Sequence, residues 1–202
     1  MTRMSVRLFS VGGTPVYLQW LTVLLLVVIG LTAGPTQAGL MAGVFALVIL
    51  HELGHCRAAT LYGLTTDHIV ITPLGGLAMI EHDRLPPIQE IVIVAAGPAV
   101  NVVLAAPLWA AWRLTGYSDL FVANLCLLVF NLLPVFPLDG GRLLRASLTP
   151  LVGFQTATIA SCLVGMVGGS ALMALGVVFI NPFAVMTGIL IILAALQEMS
   201  LA

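Results

Sequence analysis

The sequence His51-Glu52-Leu53-Gly54-His55 lies inside an apolar run that covers residues 40–59. An α-helix turns about 100° per residue, so the two histidines lie on one face and can bind one metal ion. Glu52 projects beside that face, where its carboxylate can act as a general base. H-E-x-x-H on a helix is a pattern of zinc peptidases. Ionisable residues inside apolar helices usually have a function, so this stretch predicts a metal site within a membrane-spanning helix.

The third metal ligand is predicted to be Asp139. Catalytic zinc usually has three protein ligands, and the motif supplies two. Asp139 follows Pro134 and Pro137, which prevent a regular helix, and it precedes two glycines that allow tight backbone geometry. An acid on such a segment between apolar helices can be directed at one point. The alternative is that Asp139 is a turn or N-cap acid ahead of the next helix.

The other ionisable residues near apolar segments have simpler interpretations. Glu90 and Asp119 begin predicted helices, where an acid interacts favourably with the helix dipole. Glu198 is close to the C-terminus. His68 and His82 are expected to be solvated residues of a loop. None of these residues is therefore a predicted ligand.

The composition indicates a membrane protein. Hydrophobic residues make up 60% of the chain and charged residues 7%. A typical soluble domain contains about 25% charged residues, and a chain this poor in charge cannot cover a soluble surface. The formal net charge of −1 at pH 7 also argues against a nucleic-acid partner. The composition therefore predicts an integral membrane protein.

Six segments approach the length of about 20 apolar residues that a membrane-spanning helix needs. They cover approximately residues 16–33, 40–61, 88–113, 119–133, 155–180 and 182–201. The predicted fold is therefore an all-α polytopic membrane protein with six transmembrane helices. Residues 1–202 are expected to form a single transmembrane domain.

The arginines predict the orientation, because basic residues are enriched on the cytoplasmic side of membrane proteins. With the N-terminus in the cytoplasm, only Arg113 falls on the opposite side. The arginines on or near the cytoplasmic side are then Arg3, Arg7, Arg57, Arg84, Arg142 and Arg145. Arg142 and Arg145 are interpreted as topological anchors. We therefore expect a multi-pass protein of the cell membrane with both termini in the cytoplasm.

Residues 65–81 differ in composition from the apolar helices. Residues 68–72 are mostly β-branched, residues 73–76 (Pro-Leu-Gly-Gly) are typical of a turn, and residues 77–81 can form a returning strand. This pattern predicts a small membrane-associated β-hairpin between the second and third helices. An unpaired strand edge there can accept an extended peptide as a further strand. The alternative is an amphipathic surface loop.

Three separated motifs resemble those of the site-2 protease family of intramembrane zinc metalloproteases. The first is H-E-L-G-H at residues 51–55. The second is P-L-G-G at 73–76 followed by A-G-P-A-V-N at 96–101, and the third is N-L-L-P-V-F-P-L-D-G-G-R at 131–142. The resemblance covers roughly residues 40–145, and the first and the last two helices fit the simpler bacterial and archaeal members.

The resemblance implies an intramembrane zinc metalloendopeptidase that acts in regulated intramembrane proteolysis. His51, His55 and Asp139 would bind one Zn²⁺ per chain, and Glu52 would be the catalytic base. The cleaved peptide bond would lie in or next to a transmembrane helix of the substrate. Single-span membrane proteins and signal peptides in the lipid bilayer are the substrates compatible with the family.

The resemblance also assigns roles to four further residues. Asn131 would orient the substrate or stabilise the developing oxyanion. Gly75 and Gly76 would belong to a strand pair that receives the unwound substrate. Asn101 would support the site, and an interhelical hydrogen bond is the simpler alternative for an asparagine in an apolar helix.

Many members of the family carry a PDZ or a CBS domain, for which this sequence has no room. We therefore expect either a minimal enzyme without these regulatory domains or a piece of a longer chain. The alternative function is a non-proteolytic zinc-binding membrane protein or a metal carrier. A carrier needs polar groups along its path, and the outer halves of these helices offer only hydroxyls and Asn124. The sequence does not specify an oligomeric state.

Overall fold

A computed structural model of the chain describes residues 5–11, 13–73, 75–80 and 85–201. In chain order the elements are β1 (Ser5–Val11), β2 (Thr14–Gln19), α1 (Trp20–Thr32), α2 (Pro35–Leu61), β3 (Thr66–Thr72), β4 (Gly75–Ile80), α3 (Pro87–Thr115), α4 (Asp119–Leu132), α5 (Asp139–Val152), α6 (Phe154–Val178) and α7 (Pro182–Leu201). The described part is therefore mostly helical with a small sheet. His82 and two of the arginines that predict the orientation, Arg3 and Arg84, lie outside the described residues.

Within the described residues, four helices are long and apolar enough to cross a membrane. They are α2, α3, α6 and α7. Helix α1 has 13 residues and α4 has 14, and both are apolar but shorter. At 1.5 Å per residue such helices extend about 20 Å, compared with about 30 Å for the hydrocarbon core of a bilayer. Four of the six predicted spans therefore have the required length.

The β-strands form a four-stranded sheet with the order β1-β2-β3-β4 in the described part of the chain. Strands β3 and β4 are antiparallel, as are β1 and β2, while β2 runs parallel to β3. The sequence does not predict the two N-terminal strands, because residues 16–19 fall within the first predicted membrane span. Val16 instead pairs with Ile69, and both side chains are fully buried. The backbone of this segment therefore pairs with a distant strand instead of extending α1.

The chain divides into two compact units, and the first consists of Met1–Arg84 and Ala96–Leu128. Its core joins the sheet to α2. The buried residues of this core are Val16, Phe45, Val48, Cys56, Ile69 and Ile71. The hydroxyl of Thr22 on α1 donates a hydrogen bond of 3.2 Å to the backbone oxygen of Ile71 on β3. This core fixes α2 on both sides of the H-E-x-x-H motif.

The second unit consists of Leu85–Ala95 and Val129–Ala202. Helices α6 and α7 approach each other closely at glycines: a Cβ added at Gly169 would lie 2.9 Å from the backbone oxygen of Gly188. Phe136 precedes α5 and packs with Cys162 and Ala195 in the core of this unit. The core therefore includes the irregular segment that leads to Asp139.

A buried ion cluster ties three helices of the second unit together. Arg145 on α5 donates hydrogen bonds to Glu90 on α3 at 2.5 Å and to Glu198 on α7 at 2.7 Å. The guanidinium also lies over the rings of Phe136 and Phe154, at 5.5 and 5.3 Å from their centroids. The side chain of Arg145 is therefore buried and ion-paired, while its role as a topological anchor stays a prediction.

Replacing Arg145 with methionine is expected to destabilise the second unit by about 3–5 kcal/mol, because Glu90 would remain buried without its partner. Thermal unfolding in detergent micelles measures this change. The matched control is Arg113→Met, because Arg113 is exposed at the end of α3 and its replacement should change stability by less than about 0.5 kcal/mol. Equal melting temperatures for both variants would show that the ion cluster contributes nothing to stability.

Candidate metal centre

Helix α2 brings the imidazoles of His51 and His55 together, as their spacing predicts. Their Nε2 atoms are 3.1 Å apart, the ring centroids are 4.8 Å apart, and both residues are buried. Two nitrogens that bind one zinc ion tetrahedrally at 2.0–2.1 Å are about 3.3 Å apart. The observed spacing therefore suits two ligands of the same ion.

A hydrogen bond to Asn101 on α3 determines which nitrogen of His51 carries the proton. Nδ1 of His51 lies 2.6 Å from Oδ1 of Asn101. An amide oxygen only accepts hydrogen bonds, so Nδ1 carries the proton and Nε2 keeps its lone pair. A neutral imidazole with Nδ1–H bonded to an oxygen is the usual form of a metal-binding histidine. Asn101 thus holds His51 in the form that binds a metal.

Gly97 on α3 leaves open the space beside the two imidazoles. A Cβ added there would collide with Nε2 of His55, and it would lie 2.8 Å from Nε2 of His51. Gly54 on α2 allows the close approach of the two helices, since a Cβ there would lie 2.7 Å from the backbone oxygen of Ala96. The sequence did not identify Gly97 as a site residue, although it belongs to the A-G-P-A-V-N motif.

Strand β4 lies beside the carboxylate of Glu52. A Cβ added at Gly76 would lie 2.5 Å from Cγ and 2.9 Å from Oε1 of Glu52. Gly75 has a φ of 140°, a conformation that favours glycine, and it begins the strand. The two glycines therefore let the backbone of β4 approach the acid that follows the first histidine.

Asp139 is the first residue of α5 in the second unit, and it is buried. The N-cap position is occupied by Leu138, and Asp139 is the acid in the first turn of the helix. Gly140 and Gly141 allow the first turn of α5 to pack on the preceding segment. A Cβ added at Gly141 would lie 2.6 Å from Cα of Phe136. The local backbone that carries Asp139 is thus fixed by glycine contacts, as the broken segment predicts.

His51 and His55 are buried in the first unit, and Asp139 is buried in the second. Two imidazoles and one carboxylate are a donor set found in catalytic zinc sites. The spacing of the two Nε2 atoms and the open space at Gly97 also fit such an ion. The residues present therefore fit zinc.

Two other predicted residues have different surroundings. Asn131 is half-buried near the end of α4 in the second unit. His68 lies on β3, where its Nδ1 is 2.6 Å from Oδ2 of Asp67 and its side chain is 15% exposed. The expectation of a solvated loop is therefore wrong for His68, because pairing with the neighbouring strands orders this part of the chain.

Gly97→Ala is expected to weaken zinc binding by about 10- to 100-fold, the range seen when the immediate surroundings of metal ligands are altered. The added methyl group would occupy the space next to both Nε2 atoms. Competition with a zinc chelator measures the affinity. The control is Gly39→Ala, at a site on α2 where no described atom lies within 4 Å of the added Cβ. If Gly97→Ala binds zinc as tightly as the control does, the ion does not lie between these imidazoles.

Comparisons with known proteins place the chain in a family. The family model described as Peptidase family M50 matches residues 39–118 and 114–175. A zinc metalloprotease of Methanocaldococcus jannaschii is 34% identical over 206 residues, which cover 96% of this chain and 60% of that protein. Stage IV sporulation protein FB of Bacillus subtilis is 34% identical over 138 residues, which cover 64% of this chain and 46% of that protein. The chain thus spans about half the length of these curated relatives.

A solved structure shows the same fold. The site-2 protease from Methanocaldococcus jannaschii matches with a TM-score of 0.76 and 33% sequence identity. The match covers 96% of this chain and 95% of that one. The chain belongs to peptidase family M50, the family of the site-2 proteases.

Proposed function

We propose that the protein is an intramembrane zinc metalloendopeptidase that cleaves a peptide bond in or next to a transmembrane helix of its substrate. The observation that carries this proposal is the pair of buried imidazoles on α2, with Nε2 atoms 3.1 Å apart and Glu52 beside them. The names of the relatives, which include zinc metalloproteases and a site-2 protease, support the same activity.

His51, His55 and Asp139 are the proposed ligands of one zinc ion per chain. All three are buried, and the lower dielectric constant around buried groups strengthens their interaction with a cation. When bound, zinc supplies Lewis-acid chemistry that activates a water for attack and polarises the scissile carbonyl. Asn101 keeps Nε2 of His51 available through the hydrogen bond at Nδ1.

Glu52 is the proposed general base and general acid. Its carboxylate accepts the proton of the attacking water and then transfers it to the leaving nitrogen of the substrate. Gly76 of β4 limits where this carboxylate lies, because the strand backbone is next to Cγ and Oε1. The sheet therefore contributes to the position of the catalytic acid.

The substrate is proposed to add to the sheet as an extended strand. Strand β4 ends the strand order of the described sheet, and an edge strand presents backbone groups for further pairing. A substrate helix must unwind before its peptide bond becomes accessible, and pairing near Gly75 and Gly76 would hold the unwound segment. Asn131 is the proposed contact that orients the substrate or stabilises the oxyanion. Single-span membrane proteins or signal peptides are the proposed substrates.

We further propose that residues 1–202 act as one multi-pass domain in the cell membrane. The four long apolar helices support membrane embedding. The shorter α1 and α4 would complete six spans, with both termini in the cytoplasm. The described arginines of the orientation argument, Arg7, Arg57, Arg142 and Arg145, favour this topology.

The function is tested with the full chain in liposomes that also contain a single-span substrate. We expect cleavage that stops when a chelator removes zinc and resumes when zinc is restored. A parallel assay follows zinc entry into the same liposomes with an enclosed fluorescent indicator. Zinc entry without cleavage of any substrate in a broad panel would favour the metal carrier and contradict the protease.

A further inference from the structure

We propose that Asn124 on α4 is a positioning residue for the metal site, because it fixes the amide of Asn101 and, through it, the tautomer of His51. This inference rests on the proposed function, since it concerns the affinity of the same site for zinc. The amide of Asn124 makes its hydrogen bonds with Asn101, so its effect on His51 would pass through that residue.

Asn101 and Asn124 form a reciprocal pair between two apolar helices. Both side chains are fully buried. Nδ2 of Asn101 donates to Oδ1 of Asn124 at 2.9 Å, and Nδ2 of Asn124 donates to the backbone oxygen of Asn101 at 2.9 Å. A buried amide is costly unless it is hydrogen-bonded, so this pairing is strongly favoured over alternatives that leave its groups unpaired.

The backbone oxygen of Asn101 can only accept a hydrogen bond, and this determines the direction of the other hydrogen bonds. A backbone oxygen only accepts, so Asn124 must direct Nδ2 towards the backbone of Asn101. Oδ1 of Asn124 then faces the amide of Asn101 and requires Nδ2 there. Oδ1 of Asn101 is left to face Nδ1 of His51, which must carry the proton. The backbone oxygen thus determines, over three hydrogen bonds, that the proton of His51 lies on Nδ1 and that Nε2 is unprotonated.

Reversing the amide of Asn101 would prevent metal binding by His51. The amide nitrogen would then donate to Nδ1, and the proton of the neutral ring would move to Nε2. The same reversal would bring Oδ1 of Asn101 against Oδ1 of Asn124, two acceptors with no proton between them. Asn124 therefore disfavours the orientation that removes a metal ligand.

The first test compares the zinc affinity of the wild-type full chain with that of Asn124→Leu, by chelator competition in detergent micelles. We expect the dissociation constant to rise by about 10- to 100-fold, the range found for residues that orient metal ligands. The matched control is Thr22→Val, which removes another buried hydrogen bond between elements, from Thr22 to the backbone of Ile71. The control should lower the melting temperature without changing zinc affinity.

The second test reads the tautomer of His51 directly. In the zinc-free full chain, ¹⁵N NMR of the imidazoles should show the Nδ1–H form of His51 in the wild type and in Thr22→Val. Asn124→Leu should show an added Nε2–H form. In its protonated form, Asn124→Asp keeps a donor for the backbone oxygen of Asn101 and an acceptor for Nδ2 of Asn101. It should therefore retain the Nδ1–H form and bind zinc more tightly than Asn124→Leu does. This variant also serves if Asn124→Leu does not fold.

The outcomes separate the inference from the proposed function. A wild-type chain that binds no zinc would contradict the proposed function itself. If the wild type binds zinc, and Asn124→Leu retains both its affinity and the single Nδ1–H form, the positioning role of Asn124 is overturned while the protease proposal stands. Equal losses of affinity in Asn124→Leu and Thr22→Val would also overturn it, because stability alone would then explain both.

Discussion

Glu52→Gln is expected to lower the rate of peptide-bond cleavage by about 10²- to 10⁴-fold, the usual contribution of a positioned general base. Glutamine keeps the size and the hydrogen-bonding shape of glutamate but cannot accept the proton of the attacking water. Glu52 lies between two histidines whose Nε2 atoms are 3.1 Å apart, and the proposed ligand set does not include it. Zinc binding should therefore persist when catalysis is lost.

The measurements are the cleavage rate on a single-span substrate, the zinc content and the melting temperature, all for the full chain. Glu198→Gln is the matched control, because it makes the same chemical change on α7, where Glu198 bonds to Arg145 in the ion cluster. The control should change the melting temperature and leave cleavage intact. Cleavage by Glu52→Gln at the wild-type rate would exclude Glu52 as the base, whereas loss of zinc would show that the residue holds the metal.

The helix face of α2 that carries His51 and His55 could be predicted because it depends on local geometry alone. Two histidines four residues apart on a helix must lie on one face, whatever surrounds them. The structure confirms this for His51 and His55, whose rings are buried side by side. The segment around Asp139 was also predictable in outline, because its prolines and glycines restrict the backbone locally.

The N-terminal strands could not be predicted in the same way. An apolar run of four to eight residues suits a strand as well as the end of a helix, and hydropathy does not distinguish them. Residues 16–19 become part of β2 because Val16, Tyr17 and Leu18 find partners on β3, at residues 69–71. Such pairing depends on the fold of the whole unit. The first helix predicted from the sequence therefore begins too early, at residue 16 instead of Trp20.

The polar contacts inside the helical units were missed for a related reason. Arg145 bonds to glutamates that are 55 and 53 residues away in the chain, and Asn101 bonds to Asn124 across 23 residues. The sequence shows only that each of these residues is polar within or beside an apolar segment. Which of them meet depends on how the helices rotate and pack. A charged or amide residue in an apolar helix therefore predicts a partner without identifying it.

Asp139→Asn is expected to weaken zinc binding by more than about 100-fold and to abolish cleavage, because an amide oxygen is a far weaker zinc ligand than a carboxylate and the loss exceeds that of an orienting contact. The substitution keeps the size of the side chain at the start of α5. It also removes a negative charge near the helix N-terminus, which by itself costs about 0.3–1 kcal/mol of stability. Zinc affinity must therefore be measured separately from stability.

Asp119→Asn separates these two effects, because Asp119 is the first residue of α4 just as Asp139 is the first residue of α5. Both substitutions remove an acid from the first turn of a helix, but Asp119 is exposed and Asp139 is buried. Chelator competition on the full chain should show the large loss for Asp139→Asn alone. If both variants bind zinc as the wild type does, Asp139 is only a helix-terminal acid, and the third ligand of the two histidines must be sought elsewhere in the chain.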